Sequence, residues 1–281
     1  MAVVLDHHLY GKSAVRLTKL TRHADRHDLK ELRVDVRLHG DFATSYTEGD
    51  NSKLVATDTM KNIAYAVARQ HPLTDIEGYG LALADQFLRH YAHVSAATIL
   101  LSERGWERLT SGGAPHPHTF VGAGSARRVA RIKRTRTAAG VRAGIRRLPL
   151  LKTTDSAFSG FIRDRFTTLK DTDDRIFATT LSADWFYASD EVNWGECFDL
   201  VRRTLLNVFA VHHSLSAQQT LYAMGEAALG ACTDISRIRL AMPNQHRLLV
   251  NLAPFGLDNP SEVFVPTAEP FGMISATLRR I

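Results

Sequence analysis

The chain has 281 residues, of which 44% are hydrophobic and 23% charged, as in ordinary globular proteins. This composition excludes a disordered or collagen-like chain, and the two cysteines, Cys197 and Cys232, fit a reducing compartment better than a disulfide scaffold. No uninterrupted apolar run reaches the roughly 18 residues of a membrane span, so we expect none. The first residues lack a basic segment followed by an apolar one, and we expect no secretory signal.

Positive charge is concentrated in one run of the chain. Residues 127–147 contain nine Arg or Lys and no Asp or Glu, and without them the net charge of +6 becomes −3. Such a run can bind nucleic acid, but no aromatic residues are interleaved with it to stack on bases. We therefore interpret the run as a pair of strands with basic solvent-facing sides, and expect no nucleic-acid partner.

The first half of the chain reads as strands, then helices, then strands. Alternation of apolar and charged residues over 32–38 predicts a strand, with 12–21 as a less regular partner. Helical spacing begins at Thr57, where Thr57 or Asp58 can cap the helix, and a second helix covers about 76–92. Further strand-like runs lie at about 96–103, 118–122, 127–136 and 141–152.

The second half repeats this order. A strand over about 175–188 precedes a helix through Phe198 and Val208, and another helix follows Ser216. The remaining strand-like runs are 238–242, 248–252 and a final pair at 262–267 and 272–279. The repetition predicts an internally duplicated α+β protein with domains 1–140 and 141–281, each an antiparallel sheet with a helix pair packed on one face.

Several short motifs resemble cofactor-binding or metal-binding sites, but each lacks a required residue. Gly11-Lys12-Ser13 resembles the end of a phosphate-binding loop, but Asp6 stands where that motif needs its first glycine. His23 with His27, and His116 with His118, lack an evident third metal ligand. We therefore expect no metal and no nucleotide or haem cofactor.

The stretch from Leu148 to Arg175 resembles the signature of the urate oxidase, or uricase, family. The matching positions are Leu151-Lys152-Thr153-Thr154, Ser156, Phe158, Phe161, Phe166, Leu169 and Arg175. Further blocks agree in order along nearly the whole chain: Tyr10-Gly11-Lys12, Val55-Ala56-Thr57-Asp58, Lys61-Asn62, Ser216–Tyr222, Pro243-Asn244-Gln245-His246, Asn251-Leu252, Pro254-Phe255-Gly256 and Asn259-Pro260. The resemblance is weakest over about 72–125.

The resemblance implies the tunnelling fold, in which two tandem units assemble as a homotetramer, a dimer of dimers, whose barrel encloses a central tunnel. It also implies oxidation of urate by dioxygen and water to 5-hydroxyisourate and hydrogen peroxide, without a metal or an organic cofactor. Active sites would lie at subunit interfaces, with the basic segment 127–147 favouring the anionic substrate.

The resemblance also assigns roles to individual residues. Phe158 would stack on the purine, Arg175 would donate to its edge, and Gln218 would donate to and accept from the opposite edge. The backbone N–H of Ala217 would contribute, whereas the family usually has a larger aliphatic side chain there. The proton relay would consist of Lys12, Thr57 and His246, with Asn244 holding dioxygen or water over the ring.

Two protomers would share each site under this resemblance. Lys12, Thr57 and Asp58 would come from one protomer, and the residues from Phe158 to His246 from its neighbour. Lys12 can act as a base only when neutral, a form that desolvation and nearby positive charge favour. The chain ends at Arg279-Arg280-Ile281 rather than Ser-Lys-Leu, so we expect a bacterial cytoplasmic protein without the longer tail of some relatives.

Two alternative functions explain less of the sequence. Another tunnelling-fold enzyme acting on a purine or pterin, such as a cyclohydrolase, would use an acidic residue to anchor the heterocycle, whereas the equivalent residue here is Gln218. A basic nucleic-acid-binding protein would explain 127–147 but none of the other blocks.

Overall fold

Strands, helices and strands follow one another twice in the computed structural model, which describes residues 3–281. One compact unit comprises the chain up to Gly144 together with Phe186–Phe198, and the other comprises Ile145–Trp185 with Asp199–Ile281. The segment in which we expected no secretory signal begins with Met1 and Ala2, which lie outside the described residues. No helix among the described residues has both the length and the apolar character needed to cross a membrane.

The elements of the first unit are β1 (Tyr10–Arg22), β2 (His27–Gly40), α1 (Ala43–Thr47), α2 (Thr57–Gln70), α3 (Ile76–His90), β3 (Val94–Ser111), β4 (Ala114–Thr135) and the start of β5 (Ala139–Lys152). The second unit contains the end of β5, most of β6 (Phe177–Tyr187) and of α4 (Trp194–Val211), α5 (Ala217–Ala231), β7 (Ile235–Ala241), β8 (Asn244–Gln245), β9 (Arg247–Leu249), β10 (Phe264–Pro266) and β11 (Ser275–Arg279). A short 3₁₀ helix covers Ala253–Phe255.

In the first unit, β1 to β4 are hydrogen-bonded in chain order and antiparallel. The alternation predicted over 32–38 is confirmed in β2, because the apolar side chains of that range are buried while the residues between them are more exposed. These side chains pack against α2 and α3 in one core, which includes Leu32, Val34, Val36, Leu38, Met60, Ala64, Tyr79, Leu83, Phe87, Ile99, Leu101 and Ile132. The helices therefore cover one face of the sheet.

The hairpin of β3 and β4 is longer than the sequence indicated. The runs 118–122 and 127–136 belong to one strand of 22 residues, paired with β3 of 18 residues. Gly112 and Gly113 form the turn with positive φ angles of 60° and 82°, which glycine adopts without strain. Gly122 and Gly124 interrupt the apolar pattern, which made one strand look like two.

In the second unit, β6, β7 and β11 are neighbours, and α5 packs on β7 and β11. Its core contains Leu181, Ala183, Trp185, Val201, Leu205, Leu221, Met224, Ala228, Ile238 and Leu240, all buried. The strands predicted within 262–267 and 272–279 are confirmed as β10 and β11, but they do not pair with each other. β10 pairs with β9 in a separate two-stranded sheet, and β11 pairs with β7. The sequence pattern of such short strands does not identify their partners.

Candidate active site

The predicted residues of two helices occupy equivalent places in the two units. Thr57 and Asp58 are the first two residues of α2, and Ala217 and Gln218 are the first two of α5. Backbone N–H groups in the first turn of a helix lack intrahelical acceptors and carry the positive end of the helix dipole. Each helix start is thus suited to the edge of an anion.

The two helix starts differ in how they are capped. Ser216 caps α5, since its hydroxyl accepts a 3.1 Å hydrogen bond from the N–H of Gln219, whose own side chain accepts from the N–H of Leu215. The residue before α2 is Ala56, which makes no side-chain cap. The expectation that Thr57 or Asp58 caps α2 is wrong, because the helix already includes both. The exposed Thr57 side chain is therefore not used as a cap.

Lys12 lies on β1, on the side of the sheet that the helices cover. It is half-buried and directly opposite the buried Val36 of β2, and opposed residues of paired strands point to the same side. Next to it, Gly11 approaches β2 so closely that a Cβ would lie 1.9 Å from the carbonyl oxygen of Val36. Only glycine fits this position.

A hydrogen bond fixes the segment before α2 to the same strand. The hydroxyl of Tyr10 accepts from the backbone N–H of Val55 at 2.8 Å, two residues before Thr57. Burial is the main reason that the pKa of Tyr10 is raised. Sequence reasoning assigned no role to Tyr10, and the only available signal was its place in the block that contains Lys12.

Asp58 lies within electrostatic range of Lys12. The pKa of the Asp58 carboxyl is lowered chiefly by a hydrogen bond from the ammonium of Lys61, with Asn62 and then the charge of Lys12 contributing less. Lys61 thus forms an ion pair with the Asp58 carboxylate, and the Asn62 amide donates a hydrogen bond to it at 3.1 Å. Within residues 3–281 no hydrogen bond links Lys12 to Thr57.

Phe158 and Arg175 are in contact in the second unit. The guanidinium carbon of Arg175 lies 5.1 Å from the centre of the Phe158 ring, and Phe161 stacks on the same ring at 5.0 Å and 11°. Burial lowers the pKa of Arg175, and its Nε is buried without a hydrogen-bond partner among the described residues. An aromatic face and a donor in need of an acceptor thus lie side by side.

Asp174 holds the segment that carries Phe158. Its carboxylate accepts from the hydroxyl of Thr154 at 2.8 Å and from the N–H of Ser156 at 3.4 Å. The Thr154 hydroxyl is the largest cause lowering the pKa of Asp174, and backbone N–H groups, including that of Arg175, add to it. Sequence reasoning missed Asp174, because its neighbours Asp171 and Asp173 look the same in the sequence.

Backbone hydrogen bonds connect the Phe158 segment to the start of α5. The N–H of Ala157 donates to the carbonyl of Ser214 at 2.7 Å, and the N–H of Ser214 donates to the carbonyl of Asp155 at 2.9 Å. The hydroxyl of Thr220, in the first turn of α5, donates to Ser214 Oγ at 2.8 Å. Phe158 and the helix start that bears Gln218 therefore belong to one hydrogen-bonded framework.

Asn244 and His246 follow β7. Asn244 pairs with Thr179 of β6, and its N–H donates to the carbonyl of Gly272 at 2.8 Å. His246 is exposed one residue beyond β8, and its carbonyl accepts from the N–H of Thr267 at 3.0 Å. The backbones of both residues are therefore held in place.

Comparison with known proteins identifies the family of this chain. The model of a family described as Uricase matches residues 8–133 and 141–275, most of both repeats. The uricase of Arthrobacter globiformis is 42% identical over 278 residues, which are 99% of this chain and 90% of that protein. The chain belongs to the uricase family.

Other members of the uricase family agree over the same extent. The uricase of Dictyostelium discoideum is 33% identical over 283 residues, covering 100% of this chain and 98% of its own length. The crystal structure of the Arthrobacter globiformis uricase superposes with a TM-score of 0.95 at 41% identity, covering 100% of this chain and 96% of that one. The urate oxidase of Bacillus sp. TB-90 has the same fold, with a TM-score of 0.85 at 24% identity, 98% of this chain and 100% of that one.

Proposed function

We propose that this protein is a urate oxidase, which converts urate, dioxygen and water to 5-hydroxyisourate and hydrogen peroxide. The observation that supports this most is the contact between Phe158 and Arg175 at 5.1 Å, in a chain of the uricase family. Atoms balance in this reaction, since urate gains one oxygen atom and two electrons pass to dioxygen, which leaves as the peroxide.

Recognition of urate uses a flat ring and donors in its plane. Urate is a planar anion, so its face stacks on Phe158 while its carbonyl and ring nitrogen accept from the fork of Arg175. The buried Nε of Arg175, which lacks a partner among the described residues, gains an acceptor when the anion binds. Gln218 at the start of α5 pairs with the opposite edge, assisted by the N–H of Ala217 and the helix dipole.

Chemistry requires a second deprotonation of urate, because ground-state dioxygen accepts electrons one at a time and only a sufficiently electron-rich anion donates the first. Lys12, Thr57 and His246 form the relay in this proposal. Neutral Lys12 accepts the proton, the Thr57 hydroxyl accepts one and donates another, and His246 orients the chain. Asn244 holds dioxygen, and afterwards water, over the ring face.

The two groups of residues meet across a subunit interface in this proposal. Lys12, Thr57 and Asp58 of one protomer face Phe158 and the remaining substrate-binding residues of its partner, in a homotetramer that encloses a tunnel. No metal or organic cofactor takes part. We also propose a bacterial cytoplasmic location, in view of the bacterial uricase among its relatives.

Steady-state kinetics test the proposal by separating binding from chemistry. Lys12→Met and Thr57→Ala are expected to lower kcat by about 10²–10⁴-fold with little change in urate affinity, because a positioned base acts in the transition state. Arg175→Ala and Gln218→Ala are expected mainly to raise the dissociation constant of urate. A Lys12→Met enzyme with normal kcat and a raised KM would refute the relay.

A further inference from the structure

β1 contains a bulge directly after Lys12. Lys12 pairs with Val36 and Val15 pairs with Val34, so Ser13 and Ala14 together oppose the single residue Asp35. Ala14 has a φ of +59°, in the left-handed region that a residue with a side chain adopts only under constraint. Two residues opposite one is the definition of a β-bulge.

The bulge decides which face of the sheet Lys12 occupies. Beyond the bulge, Val15 and Leu17 are buried in the core. Side chains alternate between faces along a regular strand, so without the extra residue Lys12 would point away from the core side that Val15 faces. With the bulge, Lys12 and Val15 lie on the same side, which α2 covers.

Asp35 holds the bulge from the neighbouring strand. Its carboxylate accepts a 2.6 Å hydrogen bond from the backbone N–H of Ala14, and the Nε of Arg33 lies 3.6 Å away from the same oxygen. This bond supplies the acceptor that the disrupted strand pairing denies to Ala14. The acceptor is a side chain, so a substitution at Asp35 removes it while every backbone hydrogen-bonding group of β2 is kept.

We propose that Asp35 is a positioning residue, which sets the place of Lys12 by holding the bulge. The proposal rests on the proposed function, in which Lys12 is the base. Since a displacement of about 1 Å can cost up to 10²-fold in rate, loss of this bond should reduce turnover while urate binding, which uses other residues, is kept.

Two substitutions at Asp35 separate the hydrogen bond from the charge. Asp35→Ala should lower kcat about tenfold or more and leave KM within twofold, whereas Asp35→Asn, whose amide oxygen still accepts, should stay within about twofold of wild type. Glu107→Ala, which removes an exposed carboxylate farther along the β3–β4 hairpin, is the matched control and should change neither constant. If Asp35→Ala folds poorly, Ala14→Gly in the same chain relieves the strain at φ +59° and allows the measurement.

A double-mutant cycle with Lys12→Met distinguishes positioning from general stability. On that background Asp35→Ala should have no further effect on kcat, because the group that it positions is gone. An equal loss on both backgrounds, a wild-type kcat for Asp35→Ala, or an Asp35→Asn enzyme as impaired as Asp35→Ala would overturn the proposal. A Lys12→Met enzyme with full turnover would instead overturn the assignment of Lys12 as the base, and a folded wild-type protein that does not oxidise urate would overturn the proposed function itself.

A second observation concerns the basic run, most of which already has partners. Arg128 pairs with the fully buried Glu77 at 2.6 Å, Arg134 with Asp85 at 2.8 Å and Arg146 with Asp184 at 2.6 Å. Arg136 donates to three backbone carbonyls, between 2.9 and 3.2 Å. These residues serve the fold, but the expectation of solvent-facing side chains is wrong for Arg128, whose side chain is only 12% exposed.

Other members of the run line a cavity, among them Arg131 and Lys133. Both are exposed and alternate with the buried Ile132, so they lie on the face of β4 away from the helices. The cavity has a volume of about 260 Å³, and Arg142 and Phe186 also line it, with no Asp or Glu among its lining residues. The Arg142 guanidinium carbon lies 5.5 Å from the centre of the Phe186 ring.

The charges around this cavity reach β2, which lies two strands away from β4 in the sheet. The pKa of His39 is lowered mainly by its burial, and the positive charges of Lys133 and Arg131 lower it further. A cavity with three cationic side chains and an aromatic ring fits a flat organic anion. Its volume lies below the roughly 300–1,000 Å³ of pockets for drug-sized molecules, which limits the occupant to about one bicyclic ring system.

We infer that this cavity is a second anion site, which binds a planar purine anion such as urate through Arg131, Lys133, Arg142 and Phe186. None of these residues belongs to the proposed catalytic set. The site would hold substrate on the basic sheet face without converting it, and its affinity should fall with rising salt.

Equilibrium dialysis with urate in the absence of dioxygen tests this site, because no turnover occurs. Wild type should bind two urate molecules per chain, Arg175→Ala should keep the site at the cavity, and Arg131→Gln with Lys133→Gln should weaken that site at least tenfold. Arg202→Gln with Arg203→Gln, an equal loss of charge on the exposed side of α4, is the control. One urate per chain in wild type, unchanged by the substitutions at Arg131 and Lys133, would overturn the inference while leaving the proposed activity intact.

Discussion

The hydroxyl oxygen of Tyr10 accepts a 2.8 Å hydrogen bond from the backbone N–H of Val55, 45 residues further along the chain. Tyr10 stands two residues before Lys12, and Val55 stands two residues before Thr57. One side chain therefore joins the strand that carries the proposed base to the loop that leads into the proposed relay hydroxyl.

Tyr10→Phe should destabilise the protein and slow turnover more than it weakens urate binding. The buried Val55 N–H loses its acceptor, which costs about 1–3 kcal/mol. Urea unfolding and steady-state kinetics measure the two effects. Tyr46→Phe, which removes an exposed hydroxyl donating to the carbonyl of Leu9, should change stability by less than about 0.5 kcal/mol. Equal stability of the two variants would contradict this role of Tyr10.

Gly11→Ala should prevent normal folding or reduce stability by at least about 3 kcal/mol, because its Cβ would lie 1.9 Å from the Val36 carbonyl oxygen. Gly140→Ala is the matched control in a strand, since its nearest atom outside the chain neighbours is 3.9 Å away. Yield of folded protein and the unfolding midpoint provide the measurement. A Gly11→Ala protein as stable as Gly140→Ala would show that β1 and β2 can separate at this point.

Acid should remove the stabilising contribution of Asp174. The pKa of this carboxyl is lowered from 3.8 in the folded protein, so its contribution is present above 3.8 and is lost as the pH falls through the lower, folded-state value. The Asp174→Asn protein should therefore be less stable than wild type at pH 7. The difference should be under about 1 kcal/mol, because the carboxylate is exposed, and it should vanish on acidification. Urea unfolding at pH 7, 4 and 3 checks this, with Asp173→Asn as the control. A difference that widens toward pH 3 would be the opposite of the expected sign.

Much of the fold follows from patterns that extend over a few residues. Alternation in β2, helical spacing in α2 and α5, and the repeated order of elements were all sufficient for correct predictions. The bulge was not predictable, since its presence depends on the Lys12–Val36 and Val15–Val34 pairing, and it made 12–21 look irregular. The partners of β10 and β11 were also missed, because short strands of similar composition do not encode their neighbours.

The residues of the candidate site were likewise only partly predictable from the sequence. Phe158 and Arg175 stand in a dense block and lie in contact, and their joint use in binding urate stays a prediction. Tyr10 and Asp174 act through hydrogen bonds to groups 45 and 20 residues away in sequence, for which local patterns give no signal. Lys12 and Arg175 lie far apart in the chain, so local sequence patterns give no sign that they share a site. An experiment on the assembled protein tests whether they do.

Refolding a mixture of two impaired variants, assayed at a urate concentration too low to saturate Arg175→Ala, tests the shared site. Lys12→Ala and Arg175→Ala chains, unfolded together and refolded, should recover roughly a quarter of wild-type activity, because half of randomly formed dimers are mixed and half of their sites are intact. Each variant refolded alone is the control. Correctly assembled oligomers with no more activity than the single variants would eliminate the intersubunit arrangement and leave the reaction itself unaffected.

The most direct test of the whole account is the ultraviolet absorbance of urate in the presence of the purified protein. The protein is first dialysed exhaustively against a strong chelator and receives no flavin, haem or copper. We expect urate absorbance to fall in air, with one hydrogen peroxide formed per urate, to fall about 10²–10⁴-fold more slowly with Lys12→Met, and to stay constant without dioxygen. Constant absorbance with correctly folded, oligomeric wild-type protein would contradict the assignment as a urate oxidase, and activity that returns only when one metal is added would contradict the cofactor-free mechanism.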